Sequence, residues 1–183
     1  MKASMIKLLG TLAAGLFAVL AASASAQVST TANGPYYATP SWDQKLTTNR
    51  FVILANWNNE AVLDRETGLV WQRSPDTTPQ AWTVAQFQCN SRWIGSRKGW
   101  RLPGVHELAS LLDQTVAPPG PRLSAGHPFL NVQSSDYWSA STVASFATFA
   151  WFVGFGDGFV LNLGKSGALL VWCVRGGQGT DGQ

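Results

Sequence analysis

Residues 158–166 suggest the first possible function, phosphate binding by a glycine-rich loop. This stretch ends in Gly-Lys-Ser, as the pattern G-x-x-x-x-G-K-[ST] does, but five residues rather than four separate Gly158 from Gly164. A genuine loop of this kind follows a buried strand and opens a helix. Lys165 is instead followed by the β-rich run ALLVWCV. We therefore predict two turns between strands, the second a hairpin turn at GKSG, and no nucleotide binding.

Metal and hydrolase chemistry have few candidate residues. The 183 residues contain two histidines, His106 and His127, and neither has the spacing of a zinc ligand set. The G-x-S-x-G elbow of serine hydrolases does not occur. The only acids after Asp136 are Asp157 and Asp181, too few for a calcium site. We predict no catalytic residue, no metal and no cofactor.

The N-terminal residues 1–26 are typical of a secretory signal peptide. Lys2 and Lys7 precede an apolar run over residues 8–22, and Ala-Ser-Ala stands immediately before Gln27. An uncleaved anchor is the alternative, but the run is short for a membrane span. Cleavage would lower the formal net charge from +3 to about +1. We predict an exported protein without a membrane span, and too little basic clustering for nucleic-acid binding.

The remaining chain keeps two cysteines, Cys89 and Cys173. In an oxidising compartment such a pair is expected to form a disulfide. The bond would close a loop of about 85 residues and stabilise the fold by about 4–5 kcal/mol on the chain-entropy model. A metal site or a reactive thiol would need partners that the neighbouring sequence does not offer.

The elements that must position these residues belong to one domain. Residues 27–49 are rich in Ser, Thr, Asn and Pro, a composition that predicts an extended arm. The small and polar residues 178–183 predict a disordered tail. Between them, residues 50–177 form the predicted domain, with a hairpin turn at residues 66–68 and mostly strand after Tyr137.

Two helices are predicted before the strand-rich half. The first has Thr78 as N-cap and Pro79 at its first position. Its buried face is predicted to carry Trp82, Ala85, Cys89 and Trp93. The second begins after Gly104, and its apolar face is predicted to carry Val105, Leu108, Ala109 and Leu112. Arg101 and Glu107 are expected to form an ion pair or a helix cap rather than a catalytic site.

Several motifs resemble one bacterial family in their order along residues 51–177. They are VLDRETGLVWQR, GWRLPGVHELASLLD, HPFLNVQSSDYWSAS, FAWFVGFGDGFV and VWCVRGG. They are similar to the C-terminal domain of the Legionella collagen-like adhesin. The resemblance implies an α+β, C-type-lectin-like fold in which two helices pack on twisted antiparallel sheets. It also implies a disulfide between the first helix and the last strand, where Cys89 and Cys173 lie.

Relatives of this fold include adhesins, phage receptor-binding proteins and formylglycine-generating enzymes, so the fold alone does not assign a function. The calcium-dependent sugar motifs of C-type lectins, Glu-Pro-Asn or Gln-Pro-Asp with a later Trp-Asn-Asp, do not occur in this sequence. Formylglycine-generating chemistry needs a reactive cysteine pair, whereas a structural disulfide accounts for both cysteines here. Binding without calcium, through an exposed face, is compatible with the residues present.

The strand FAWFVGF supplies the candidate binding face. Alternation predicts that Trp151, Val153 and Phe155 face the core while Phe152 points outward, together with Phe159 of the following segment. The predicted ligand-binding residues are Phe146, Thr148, Phe152, Asp157, Phe159, Asn162 and Lys165. Exposed aromatic rings interleaved with polar groups are typical of sugar or protein recognition. The alternative is that the arm or another subunit covers this face.

The sequence thus predicts an exported, non-catalytic recognition module of the periplasm or cell surface. Its expected partner is a glycan or protein ligand, bound without calcium through the C-terminal strands. One alternative is a structural or assembly subunit, which could be a homo-oligomer. The other is an enzyme with a formylglycine-generating-like fold.

Overall fold

The computed structural model describes residues 49–177, and the predicted signal peptide, most of the arm and the tail lie outside these residues. The described residues form an α+β fold with ten strands in two five-stranded sheets, two α-helices and one short 3-10 helix. The predictions of two helices, predominant sheet and one disulfide are confirmed.

The first sheet has the strand order β1-β2-β3-β10-β5, and all of its neighbouring strands are antiparallel. Its strands are β1 (Phe51–Ile53), β2 (Ala61–Asp64), β3 (Val70–Gln72), β5 (Trp100–Arg101) and β10 (Val174–Arg175). The 3-10 helix (Ala55–Trp57) follows β1.

The predicted hairpin between β2 and β3 is confirmed, and Asp64 organises its turn. The carboxylate of Asp64 is fully buried and accepts hydrogen bonds from the Glu66 amide and the Thr67 hydroxyl, both at 3.0 Å. Arg50 compensates the buried charge through two hydrogen bonds of 2.9 and 2.8 Å. Gly68 has a φ of 71°, which glycine adopts without a steric cost.

The second sheet has the order β4-β9-β6-β7-β8. Its strands are β4 (Asp76–Ala81), β6 (Asp136–Val143), β7 (Phe146–Gly154), β8 (Val160–Gly164) and β9 (Ala168–Val171). The pairs are antiparallel except β6 and β9, which are parallel where Tyr137 lies opposite Leu170. Strands β4 and β8 therefore form the two edges of this sheet.

The first helix, α1 (Trp82–Ser91), begins later than the sequence predicts. Thr78 and Pro79 belong to β4 because this segment pairs with β9. Proline is tolerated there because β4 is an edge strand. Trp93 is also outside the predicted buried face, with 63% of its surface exposed, since the helix has ended two residues earlier.

The second helix, α2 (Val105–Ala109), is confirmed with Gly104 as its N-cap. Glu107 accepts a hydrogen bond from the Gly104 amide at 2.8 Å. The same carboxylate accepts two bonds of 2.7 Å from Arg101, so this pair is both an ion pair and a cap. Arg101 also donates to the Gly176 carbonyl at 2.7 Å, which ties α2 to the chain after β10.

The stretch over residues 158–166 forms no phosphate-binding loop, since Lys165 lies between two strands. The turn around Asp157 joins the paired strands β7 and β8, as predicted. The prediction of a hairpin at residues 164–167 is wrong, because β8 and β9 are not neighbours. β9 instead pairs with β4 and β6, which leaves β8 at the edge of the sheet.

The core consists of two clusters rich in aromatic residues. The first contains Trp57, Trp100 and Trp138, and the second contains Trp71 and Trp172, all nearly inaccessible to solvent. The predicted disulfide is confirmed. It joins Cys89 of α1 to Cys173, in the link between β9 and β10, with a Cα–Cα distance of 5.5 Å.

Candidate functional site

The candidate site is an exposed apolar surface on the β7–β8 hairpin. Ten large hydrophobic side chains are exposed within residues 49–177, and six of them belong to β7, to β8 or to the turn between these strands. The six are Phe146, Phe149, Phe159, Val160, Leu161 and Leu163. A concentration of this kind on one hairpin is typical of an interaction site.

The pairing of β7 with β8 sorts these side chains onto two faces. Trp151 lies opposite Asn162, and Val153 lies opposite Val160, so these side chains share one face. Phe149 belongs to the same face because it is two residues from Trp151. The Phe146 ring contacts the Phe149 ring, with centroids 6.2 Å apart. We name Phe146, Phe149, Trp151, Val160 and Asn162 the aromatic face.

The opposite face of the hairpin is apolar as well. Leu161 lies opposite Phe152, and Leu163 lies opposite Ala150. Phe152 and Ala150 are buried in the first core cluster, whereas both leucines are exposed. β8 thus extends the sheet beyond the part that the core covers. Its backbone pairs with β7 alone, so the described residues leave its outer row of hydrogen-bonding groups unpaired.

The prediction that Phe152 points outward is wrong. Only 9% of its surface is exposed, and its ring packs in the first core cluster beside Ala150. Trp151, predicted to face the core, is partly exposed. Val153 and Phe155 are buried in the second cluster, as predicted. The C-terminal half of β7 therefore lies between two buried clusters, and alternation alone does not distinguish its faces.

Most of the other predicted site residues lie at the surface. Phe146, Thr148, Asp157, Phe159 and Asn162 are all exposed. Phe146 and Phe159 expose 64% and 61% of their surfaces. The structure brings Phe146 and Asn162 into the aromatic face, while Phe159 and Asp157 lie in the turn at the end of the hairpin.

Asp157 and Lys165 have structural contacts. The Asp157 carboxylate accepts a hydrogen bond of 3.0 Å from the Phe159 amide, and this bond closes the turn between β7 and β8. The ammonium group of Lys165 lies 3.9 Å from the centroid of the Trp82 ring and donates to the Thr142 hydroxyl at 2.9 Å. Lys165 therefore joins the turn after β8 to the start of α1 and to β6.

Sequence reasoning missed Phe149, Val160, Leu161 and Leu163. The available signal was the apolar composition of FVLNL, which would have indicated an exposed site only if β8 were known to be an edge strand. The hairpin predicted at residues 164–167 would have placed β9 beside β8. Because β9 pairs with β4 and β6 instead, it does not cover β8.

Within residues 49–177, three titratable groups have displaced pKa values, and none of them belongs to the aromatic face. Partial burial, and secondarily the charge of Asp157, raises the pKa of Asp136. Burial raises the pKa of Tyr137 to about 12 and lowers the pKa of His127. The Tyr137 hydroxyl accepts a hydrogen bond of 2.8 Å from the Gln133 backbone amide, so its role is structural.

The aromatic face can bind ring surfaces and apolar side chains. Its aromatic rings offer flat apolar area, and the amide of Asn162 adds two donors and an acceptor. Within residues 49–177, no group of three or more His, Cys, Asp or Glu side chains is arranged to hold a metal ion. The same residues contain no helix that is long and apolar enough to cross a membrane.

Comparison with known proteins gives one family. Residues 60–175, well over half of the chain, match the family model described as the Lcl C-terminal domain. The matched region includes both helices and extends from the start of β2 to the end of β10. No curated protein matches the chain.

Proposed function

This chain belongs to the Lcl C-terminal domain family, and on that premise we propose that it is a non-catalytic recognition domain of an exported, surface-associated protein. Its ligand is a glycan or a protein, bound without calcium at the aromatic face. We further propose that the two sheets and two helices form a variant of the C-type-lectin-like fold.

The observation that carries this proposal is the exposure of apolar side chains on a strand pair that the disulfide-linked core supports. Phe146 and Phe149 contact each other edge to face, so that their rings present two differently oriented surfaces. Asn162 lies opposite Trp151 and can orient a ligand through hydrogen bonds. Recognition surfaces commonly combine a large aromatic area with a few polar groups.

One feature supports binding rather than catalysis, and a second supports binding without calcium. Both cysteines are joined in the disulfide, which leaves no reactive thiol pair for formylglycine-generating chemistry. The aromatic face contains no carboxylate, so a sugar there would contact ring faces and the Asn162 amide rather than a bridging calcium ion.

Assembly is a second candidate function, favoured by the opposite face of β8. Leu161 and Leu163 are exposed there, and among the described residues nothing pairs with the backbone groups at the outer edge of β8. An edge strand that is apolar on both faces is suited to pairing with another chain. In this case the hairpin would be the contact between subunits.

A glycan, glycosaminoglycan and protein array, probed with residues 27–183, tests the proposal. We expect at least one ligand, retained in the presence of a calcium chelator. Light scattering after size-exclusion chromatography separates the two candidates, since recognition predicts a monomer with an available face. A stable oligomer that binds no array ligand would contradict recognition and support assembly.

A further inference from the structure

The loop between α1 and β5 carries a positively charged surface that goes beyond the proposed function. Residues 77–106 contain four Lys and Arg side chains and no Asp or Glu. Two of the four form salt bridges with acidic side chains outside this stretch. Arg97 and Lys98, in contrast, form no salt bridge within residues 49–177. The loop therefore holds two positive charges that no carboxylate of the described residues neutralises by direct contact.

Arg175 of β10 adds a third positive charge at the same place. Its Nε donates to the Lys98 carbonyl at 2.9 Å, and it too forms no salt bridge with the residues that the structure describes. The guanidinium carbons of Arg97 and Arg175 lie 4.2 and 5.3 Å from the centroid of the Trp57 ring. One buried indole thus holds both groups. Like charges grouped in this way attract an anionic partner.

Trp93 places an exposed aromatic ring beside these charges. Solvent reaches 63% of its surface, and the Lys98 ammonium group lies 4.8 Å from its ring centroid. The preceding helix α1 is also apolar on its solvent side, where Val84 and Phe87 are exposed one turn apart. We name the following residues the basic patch: Trp93, Arg97, Lys98 and Arg175.

This composition fits the surface of a lipid bilayer better than it fits a dissolved polyanion. Tryptophan is enriched at bilayer interfaces, because its ring is apolar and its N–H group is polar. A lysine or arginine near an anionic headgroup layer raises the affinity about fivefold. A polyanion in water would neutralise the cations but would offer no apolar layer to Trp93.

We propose that the basic patch binds the surface of an anionic bilayer, with Trp93 at the level of the headgroups. Attraction by the cations and burial of apolar area act together in such peripheral binding. The basic patch and the aromatic face belong to different sheets, since β5 is an edge strand of the first sheet and β8 is an edge strand of the second. Binding to a bilayer is therefore separable from ligand binding at the aromatic face.

Co-sedimentation of residues 27–183 with lipid vesicles tests the proposal. One set of vesicles contains phosphatidylcholine alone, and the other contains phosphatidylcholine and phosphatidylglycerol in equal amounts. We expect a preference of about tenfold or more for the anionic vesicles, which falls as the salt concentration rises because salt screens the charges.

Matched variants assign the binding to the basic patch. Lys98→Glu should weaken binding to anionic vesicles about tenfold or more, whereas Lys98→Arg keeps the charge and should leave it unchanged. Trp93→Ala should weaken it about threefold to tenfold through the loss of apolar area. Phe159→Ala is the control, since its ring is as exposed as that of Trp93, at 61%, but lies on the hairpin. It should leave vesicle binding unchanged.

The proposal would be overturned by equal binding to both kinds of vesicle, or by unchanged binding in Lys98→Glu. Dextran sulfate, a dissolved polyanion, identifies a different partner. If Lys98→Glu weakens binding to dextran sulfate and to vesicles alike while Trp93→Ala weakens neither, the patch binds polyanions and the bilayer proposal fails. A loss in Phe159→Ala but not in Trp93→Ala would place vesicle binding on the hairpin and would also overturn it. None of these results affects an array ligand bound at the aromatic face.

Discussion

Phe152 and Phe159 differ in what surrounds their rings, although the same hairpin carries both. Phe152 packs in the first core cluster, while Phe159 is exposed in the turn before β8. We expect Phe152→Ala to lower the free energy of unfolding by about 3–5 kcal/mol through cavity formation. Phe159→Ala should change it by less than about 1 kcal/mol. Urea unfolding checks this, and equal losses would contradict the assigned environments.

Asp136 provides a pH-dependent test at the residue scale. Partial burial and the nearby Asp157 raise its pKa in the folded protein above the ordinary value of 3.8. The folded state therefore binds this proton more tightly than the unfolded state, so ionisation at neutral pH costs stability. Asp136→Asn should stabilise the protein at pH 7 by less than about 1 kcal/mol, since solvent screens a partly exposed charge.

The gain from Asp136→Asn should shrink as the pH falls through the raised pKa, and it should vanish well below 3.8, where both states hold the proton. Thermal unfolding of both proteins across this pH range measures the difference. Asp157→Asn is the control, since it removes the repelling charge and keeps an acceptor for the Phe159 amide. A gain that does not depend on pH would contradict the assignment.

At the scale of elements, the disulfide links α1 to the segment between the last two strands. Replacing Cys89 and Cys173 together by Ala should lower the free energy of unfolding by about 2–5 kcal/mol. Chemical unfolding of the double variant beside the wild type, with and without a reductant, is the measurement. The reductant should destabilise only the wild type. A variant as stable as the oxidised wild type would contradict a stabilising role for this bond.

Local signals predicted several elements correctly. The β2–β3 turn follows from residues 66–68, and the start of α2 follows from Gly104 with Glu107 three residues later. The start of α1 was missed because Thr78 and Pro79 are also compatible with an edge strand. Only the pairing of β4 with β9, a contact between distant segments, decides between the two.

The same limit applies to the candidate site. The sequence predicted the hairpin and the exposure of Phe146, Phe159 and Asn162. It could not fix the outward face of β7, because Phe152 and Val153 point to opposite faces and both are buried. The exposure of β8 depends on strand order, which is set by where β9 pairs rather than by the residues of β8.

At the scale of the whole molecule, the predicted export would place the chain in an oxidising compartment, where the disulfide can form. The signal-peptide pattern predicts that the exported protein begins at Gln27. Intact-mass measurement of protein recovered from the periplasm or the medium should give the mass of residues 27–183 with one disulfide. Retention of residues 1–26 would contradict the predicted cleavage and leave the chain anchored at its N-terminus.

The central claim is that the aromatic face binds the ligand, and one paired titration tests it most directly. Phe146 on this face and Phe87 on α1 are comparably exposed, at 64% and 72%, so replacing either by Ala should leave the thermal stability nearly unchanged. For an array ligand, Phe146→Ala should raise the dissociation constant about tenfold or more, as loss of an aromatic contact does. Phe87→Ala should leave it unchanged. Unchanged affinity in Phe146→Ala, or an equal loss in Phe87→Ala, would contradict recognition at the aromatic face.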